Sequence, residues 1–352
     1  MLQFNPIISV IIPIHNGSRW IENCFNSILE QTAIKSHKIE LCVCNDASND
    51  DTDKLLKAWS GIFKNNNVKV KIYHNESEEP KGVGFSKNRA ISISSGDFLC
   101  FQDVDDVMLP NRILRQYEAA CILPKNTLIG SKFKRTPENS TVRYTKWANL
   151  LNKEELQNQI FTSFGPTVIM PTWFFHRSLY EEVGGFLEEK IGCPEDLIFF
   201  YKHLDNGGKI YRVDEELLVY TYHLGATTFL INKDTIWDKR VERLQKTILN
   251  QWPAFTIWNA GKQGRKLYKS LAQNHQNKVV AMCDVDVKKI GKTYVPFDAA
   301  GRKIGRPVKI VSFKEANAPL VICVKLDLTN GVFEHNLKTL NLVEGKDYVL
   351  FS

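Results

Sequence analysis

Short apolar runs recur through the first hundred positions, and each is followed by a stretch with helical spacing. Residues 8–13 (Ile8-Ser9-Val10-Ile11-Ile12-Pro13), 39–44, 68–74 and 98–102 read as strands. Between them, residues 18–31 carry apolar side chains at Trp20, Ile21, Cys24, Phe25, Ile28 and Leu29, spaced as one face of a helix. Residues 50–59 place Leu55, Leu56 and Trp59 on one side, and 84–94 are again helical. Strands separated by helices must be joined by crossovers, and that path predicts a parallel sheet covered by helices. Ligands of such sheets collect where the strands end. Those ends carry His15-Asn16, Asn45-Asp46 and Asp103-Val104-Asp105-Asp106.

The third of these ends is the most charged. The strand Phe98-Leu99-Cys100-Phe101 leads into three carboxylates within four positions. Like charges beside a buried strand lose hydration and repel unless a cation joins them. Hard oxygen donors suit Mg²⁺ or Mn²⁺, ions that commonly accompany a diphosphate. The same run also reads as an acidic loop capping the helix after Met108-Leu109-Pro110, and an Asp-x-Asp alone does not choose between the two.

The chain has 352 residues, room for two domains. Residues 167–170 read as a strand, 195–204 as a helix, 217–222 as a strand, and 236–250 as a helix leading to a boundary at Trp252-Pro253. The pattern then restarts with Phe255-Thr256-Ile257-Trp258, a helix carrying Leu267, Tyr268 and Leu271, a strand at 279–283 and another at 319–324. Two α/β domains are therefore expected, a larger one over residues 1–250 and a smaller Rossmann-like one over 255–352. Gly261-x-x-Gly264, with Asp284 twenty positions on, fits a dinucleotide fingerprint lacking one glycine. It fits a close-packed strand–helix turn equally well.

Charge separates the two parts. Residues 255–352 hold 16 Lys and Arg against 8 Asp and Glu, a balance of +8, which leaves −1 for residues 1–254. A basic terminal part suggests a polyanionic partner for that part alone. Residues 1–6 lack a basic segment before an apolar run, and the apolar stretch at 7–14 is too short to span a bilayer. A cytoplasmic location with no membrane partner is the expectation. Cys42, Cys44, Cys100, Cys283 and Cys323 lie in apolar strand runs and read as buried free thiols, and no second cysteine pair accompanies Cys42-x-Cys44 to suggest zinc.

Six segments taken together resemble the family 2 glycosyltransferases of the GT-A fold. They are Ser9-Val10-Ile11-Ile12-Pro13-Ile14-His15-Asn16, Cys44-Asn45-Asp46-Ala47-Ser48-Asn49-Asp50, Gly84-Phe85-Ser86-Lys87-Asn88-Arg89-Ala90, Asp103-Val104-Asp105-Asp106, Val183-Gly184-Gly185-Phe186 and Pro194-Glu195-Asp196-Leu197. The chain departs from the family at Asn45 and Ala47, where Asp and Gly are usual, and at Lys87, where Arg is usual. The resemblance implies a Rossmann-like GT-A domain and a UDP-sugar donor. It implies that Pro13, His15, Asn16, Asp46, Lys87 and Asp103 bind the nucleotide sugar, and that Asp105 and His223 hold Mn²⁺ or Mg²⁺. It further implies that Asp196 is the general base, with Glu195 beside it, and that Trp173, Gly184 and Gly185 meet the acceptor.

Three further segments are similar to a tRNA-modifying branch of that family: 165–174, 259–265 and 321–328. This resemblance implies UDP-galactose as donor and the cyclopentenediol of queuosine in the anticodon of tRNA-Tyr as acceptor. Lys262, Arg265, Lys266 and Lys269 then become the candidate RNA contacts, near one strand–helix turn where amides can meet phosphate. Other readings are a glycan-directed enzyme using UDP-N-acetylglucosamine on a β-galactoside, a catalytically degenerate tRNA-binding protein, and a dinucleotide oxidoreductase. The carboxylates argue against the second, and the incomplete glycine pattern against the third. The oligomeric state is not legible in the sequence.

Overall fold

The computed structural model describes residues 6–189, 192–298 and 303–352. The segment 1–5, read above as lacking a leader, lies outside the described residues. The chain divides into two compact units, one of residues 1–156 and 165–232, the other of 157–164 and 233–352. The sequence placed the division near residue 250. The helix before Trp252 instead groups with the later unit, as does the segment 157–164.

In the first unit the elements are β1 (Ile7–Ile14), α1 (Ser18–Leu29), β2 (Lys38–Asn45), α2 (Thr52–Asn65), β3 (Lys69–His74), α3 (Val83–Ser92), β4 (Phe98–Phe101), β5 (Val107–Met108), α4 (Arg112–Ile122), β6 (Thr127–Thr136), α5 (Val142–Leu150), α6 (Lys153–Asn158), β7 (Phe174–His176), α7 (Arg177–Val183), α8 (Glu195–Asp205) and β8 (Lys209–Thr221). They build one eight-stranded sheet in the order β3-β2-β1-β4-β7-β6-β8-β5. Its first half is parallel, as the alternation predicts. Its second half is mixed: β7 runs antiparallel to β4 and β6, and β5 antiparallel to β8. The predicted strand at 167–170 is absent. A 3₁₀ turn at Met170–Thr172 takes its place, and β7 follows. Ile8, Val10 and Ile12 of β1 and Leu41 and Val43 of β2 pack with Ile21, Phe25 and Ile28 of α1, so one sheet face is sealed by the predicted helical stripe.

The second unit holds α9 (Lys233–Leu244), β9 (Phe255–Trp258), α10 (Lys262–Ser270), α11 (Gln273–Gln276), β10 (Val279–Asp284), β11 (Thr293–Tyr294), β12 (Phe297–Asp298), β13 (Lys303–Ile304), β14 (Val308–Ser312), β15 (Leu320–Ile322), α12 (Val332–Lys338) and β16 (Tyr348–Leu350). The predicted helix at 236–250 ends as α9 and continues as a π turn over Gln245–Leu249. A six-stranded sheet runs β11-β14-β10-β9-β15-β16, with β9, β10, β14, β15 and β16 parallel. Its core gathers Trp258, Cys283, Leu320, Ile322, Phe333 and Leu350. All eight cysteines are free, and those in the strand runs are buried. Among the described residues no helix is long and apolar enough to cross a membrane.

Candidate active site

β1 and β2 deliver two loops to the same edge of the first sheet. His15 Nδ1 lies 2.7 Å from Asp46 O, and Asn16 N donates to Ser48 Oγ at 2.9 Å. Asn49 N returns a bond to Asn16 Oδ1 at 2.8 Å. Asn16 and Ala47 both hold φ 52°. That left-handed backbone costs an alanine roughly 1–2 kcal/mol, and a glycine at position 47 would adopt it without that cost. Pro13 is half-buried, and His15 and Asn16 are exposed at the strand end.

Asp46 is 2% exposed. Its carboxylate accepts from Asn75 Nδ2 at 2.6 Å, from Lys81 N at 3.1 and 3.0 Å, and from Gly82 N at 2.9 Å. A carboxylate has about four acceptor positions, and all are directed to the segment that leads into α3. Asp46 thus acts here as the clasp of that loop, with its oxygens turned toward the Asn75 side-chain amide and the backbone amides of Lys81 and Gly82.

The acidic end of β4 is held from below. Arg112, wholly buried, donates to Phe101 O and Pro171 O at 2.6 Å each and to Gln102 Oε1 at 2.7 Å. Gln102 in turn donates to the carbonyls of Asp103 and Asp106 at 2.9 and 2.8 Å. Asp103, Asp105 and Asp106 each offer a carboxylate oxygen, all within 4.8 Å of one another. Asp106 Oδ1 accepts from Thr221 N at 2.8 Å, whereas its Oδ2 is buried with no partner. His223 Nε2 lies 2.8 Å from Asp105 Oδ2, and its ring packs against Trp20 at 5.1 Å.

Burial, then the charges of Asp105 and Asp103, hold the Asp106 carboxyl far above the ordinary range. Burial first, and Asp105 and Glu195 after it, push Asp103 up to about 6 against the pull of Lys87. An orphaned carboxylate oxygen among like charges is the environment a divalent cation relieves. The residues therefore fit Mn²⁺ or Mg²⁺: Asp103, Asp105 and Asp106 would supply hard oxygens, with the imidazole of His223, the other expected ligand, in contact with Asp105. Asp106 was legible only as part of the acidic run. Arg112 gave no signal beyond an ordinary helix charge.

A second carboxylate pair opens α8. Glu195 and Asp196 occupy its first turn after Pro194. Lys87, 2% exposed, reaches across from α3 and places Nζ 2.7 Å from Glu195 Oε1. Burial alone lowers an ammonium's pKa. Glu195, Asp103 and Asp196 together outweigh it and hold Lys87 above its ordinary value. Burial and the charge of Glu195 push Asp196 up to about 7, against Lys87 and a 2.7 Å bond from Leu197 N. A carboxylate with that poise transfers protons near neutral pH. Lys87, expected at the nucleotide, is thus paired with Glu195.

Local packing explains how the pair is placed. A Cβ on Gly84 would collide with Leu187 O and sit 3.5 Å from Glu195 Cβ, so only glycine lets α3 lie this close. Gly184 and Gly185 both hold φ +83°, reversing the chain after α7. Asn88 then clamps the reversed segment, with Oδ1 accepting from Phe186 N at 3.0 Å and Nδ2 donating to Phe186 O at 2.8 Å. Trp173, expected at the acceptor, is wholly buried and donates its indole N–H to Val168 O at 2.9 Å. It is a core residue here, because the 3₁₀ turn before β7 folds it inward.

In the second unit Lys262, Arg265, Lys266 and Lys269 all lie on α10, at the spacing of one helix face. Lys262, Arg265 and Lys269 are exposed. Lys266 is paired with Asp234 at 2.8 Å. A Cβ on Gly264 would collide with Asn259 O, which accounts for that glycine by strand–helix packing. Asp284 accepts from Ala260 N and Lys289 Nζ at 3.0 Å each, so its role is to hold the turn.

A mixed sheet whose parallel strands end in a looped clasp and an acidic triad, with a poised carboxylate beside them, has the architecture of the GT-A glycosyltransferases. The chain belongs to Glycosyl transferase family 2, whose model matches residues 9–184, half of its length. It is similar to the chondroitin synthase of Pasteurella multocida (strain Pm70), 24% identical over 365 residues that span 97% of this chain and 35% of that protein. The chain spans about a third or less of the length of this and two other curated relatives it matches. Among solved structures it resembles S. aureus TarS 1–349 in complex with UDP-GlcNAc, at TM-score 0.50 and 19% identity over 77% of this chain and 72% of that one. It also resembles the mannosyltransferase PcManGT from Pyrobaculum calidifontis in complex with GDP-Man and Mn²⁺, at TM-score 0.50 and 17% identity over 70% and 65% of the two chains.

Proposed function

We propose that this glycosyltransferase is metal-dependent and inverting, and that it moves galactose from UDP-galactose onto the cyclopentenediol of queuosine in the anticodon of tRNA-Tyr. The observation that carries the chemistry is the carboxylate pair opening α8, with Glu195 held by the buried Lys87 at 2.7 Å and burial pushing Asp196 beside it up to about 7. Asp196 takes the proton of the attacking acceptor hydroxyl as the glycosidic bond forms. One base and no covalent intermediate mean direct displacement, hence inversion at the anomeric carbon. Lys87 holds Glu195 and moderates the charge beside Asp196. A bound Mn²⁺ or Mg²⁺ supplies charge for the diphosphate as UDP leaves.

A UDP-sugar donor is supported by the likeness to TarS, which was solved with UDP-GlcNAc, and a metal by the acidic triad. The RNA acceptor is supported by the +8 balance of residues 255–352 and by the basic face of α10. We assign phosphate contacts to that unit and a cytoplasmic setting to the whole. A glycan acceptor is the second reading, favoured by the match to chondroitin synthase across 97% of the chain. The deciding experiment offers UDP-galactose, UDP-glucose and UDP-GlcNAc with queuosine-containing tRNA-Tyr, queuosine-free tRNA-Tyr and β-galactoside oligosaccharides. Nucleoside mass spectrometry should find a hexose on queuosine with UDP-galactose alone. Transfer only to the oligosaccharide would replace the RNA reading.

A further inference from the structure

Arg135 is a partly buried cation held by rings. It lies at the end of β6, in cross-strand register with Tyr220 of β8. Its guanidinium carbon is 3.9 Å from the centre of the Tyr220 ring, 5.6 Å from Phe133 and 5.8 Å from Tyr144. Its Nε is buried without a hydrogen-bond partner, and no ion pair to it occurs among the described residues. Stacking satisfies the flat face of a guanidinium and leaves its N–H edge open. An arginine so placed lacks the oxyanion that its planar fork fits.

The surroundings say where that oxyanion would come from. One residue beyond the Arg135–Tyr220 pair, Thr221 N binds Asp106 Oδ1 at 2.8 Å, and His223 follows on Asp105. On the other flank stands Tyr144 of α5, with Trp147 packed against it at 5.7 Å. Burial pushes the Tyr144 hydroxyl up to about 12; Arg135 opposes and Asp196 adds to that shift, so this side chain feels both groups. The pairing of Arg135 with Tyr220, one position before the residue that binds Asp106, sets Arg135 toward the acidic end of β4, whose carboxylates repel an anionic acceptor.

We propose that Arg135, framed by Tyr144 and Tyr220, is an acceptor anchor: its guanidinium takes a phosphate of the acceptor nucleotide. This rests on the RNA reading above. The phosphate is preferred to a sugar carboxylate because the chain concentrates +8 in residues 255–352, a balance suited to a polyphosphate. A cation beside the acidic end of β4 also offsets the repulsion between that phosphate and the carboxylates there.

The test uses the full chain and queuosine-bearing anticodon stem–loops in which each phosphate near queuosine is replaced in turn by neutral methylphosphonate. For the wild-type enzyme one position should raise the acceptor KM by about tenfold, with little change in kcat. Arg135→Gln should raise acceptor KM by about 10–100-fold, move the KM of UDP-galactose less than twofold, and become indifferent to that one methylphosphonate. The slope of log affinity against log salt should fall by about one unit for one lost phosphate contact. Arg135→Lys should keep the slope and recover part of the affinity. Wild-type indifference to every methylphosphonate overturns the proposal, and does so without any variant having to fold. A fall in kcat with unchanged acceptor KM would assign Arg135 to packing of the base instead. If the wild type modifies only a uronate-ended saccharide and no RNA, the functional reading itself fails. An Arg135→Gln effect confined to that saccharide then gives the anchor to a carboxylate and overturns the phosphate assignment.

Discussion

Lys87→Met isolates what a single buried cation does for the base. Lys87 Nζ is 2.7 Å from Glu195 Oε1, and both side chains are almost fully covered. At that separation the gross attraction is about 6 kcal/mol for an effective dielectric of about 20. Desolvation of both groups offsets much of it. Removing one partner leaves Glu195 buried with an uncompensated charge, which costs about 3–5 kcal/mol. Methionine keeps the aliphatic stem, so the loss is electrostatic. The melting temperature should fall by roughly 6–20 °C, taking about 2–4 °C per kcal/mol for a domain of this size.

Activity should respond through Asp196, which stands at about 7 with Lys87 holding it down. Without the cation its pKa rises, the carboxylate is protonated at neutral pH, and the acid limb of the rate profile moves to higher pH. A rise of about one unit leaves about a tenth of the base ionised at pH 7 in place of half, a fivefold loss that is regained in alkali. The assay is UDP release against pH from 6 to 9.5, at saturating donor and metal, with a thermal melt on the same protein. An acid limb that stays where the wild type has it would refute the coupling. Lost UDP affinity with an unmoved limb would return Lys87 to the nucleotide.

Four further outcomes are expected. Asp196→Asn should lower kcat by about 10² or more and abolish the acid limb, while calorimetry shows UDP binding retained; lost UDP binding would make Asp196 a donor-site residue. Asp105→Ala should abolish transfer at any Mn²⁺ concentration, and wild-type activity in excess chelator would contradict the metal assignment. For the metal-free protein, Asp103 at about 6 and Asp196 at about 7 bind protons that the unfolded chain has released by about pH 4. Stability must then fall as pH rises through that window, and thermal melts at pH 5 and 8 should show it, with Mn²⁺ restoring most of the loss at pH 8; a rise in stability would refute the poise. Replacing Lys262, Arg265, Lys266 and Lys269 with Ala should weaken tRNA binding and flatten its salt dependence, with Lys266 contributing least because Asp234 already engages it; unchanged affinity would move RNA docking elsewhere.

What the amino-acid sequence determined by itself is the parallel half of the first sheet and the chemistry gathered at its edge. The apolar runs of β1 to β4 alternate with helical stripes, and periodicity is a property of neighbours along the chain, so it survives without any knowledge of pairing. The same holds for the acidic run after β4 and the two acids that open α8. β6 escaped because Lys132, Lys134 and Arg135 break its apolar run, and only pairing with β7 and β8 makes it a strand.

Tertiary structure alone decided what the charges do. Lys87 and Glu195 are 108 positions apart, and Asp106 and the Thr221 amide 115. Whether a carboxylate binds a loop, a lysine or a cation depends on what stands within a few ångströms of it, and no local pattern records that. Asp46 became a clasp for that reason, Trp173 a core residue, and Arg135 a cation among rings. The resemblance marked Asp46 for the nucleotide and Trp173 for the acceptor and left Arg135 unmarked, and the contacts each makes come from the partner that folding brings to it.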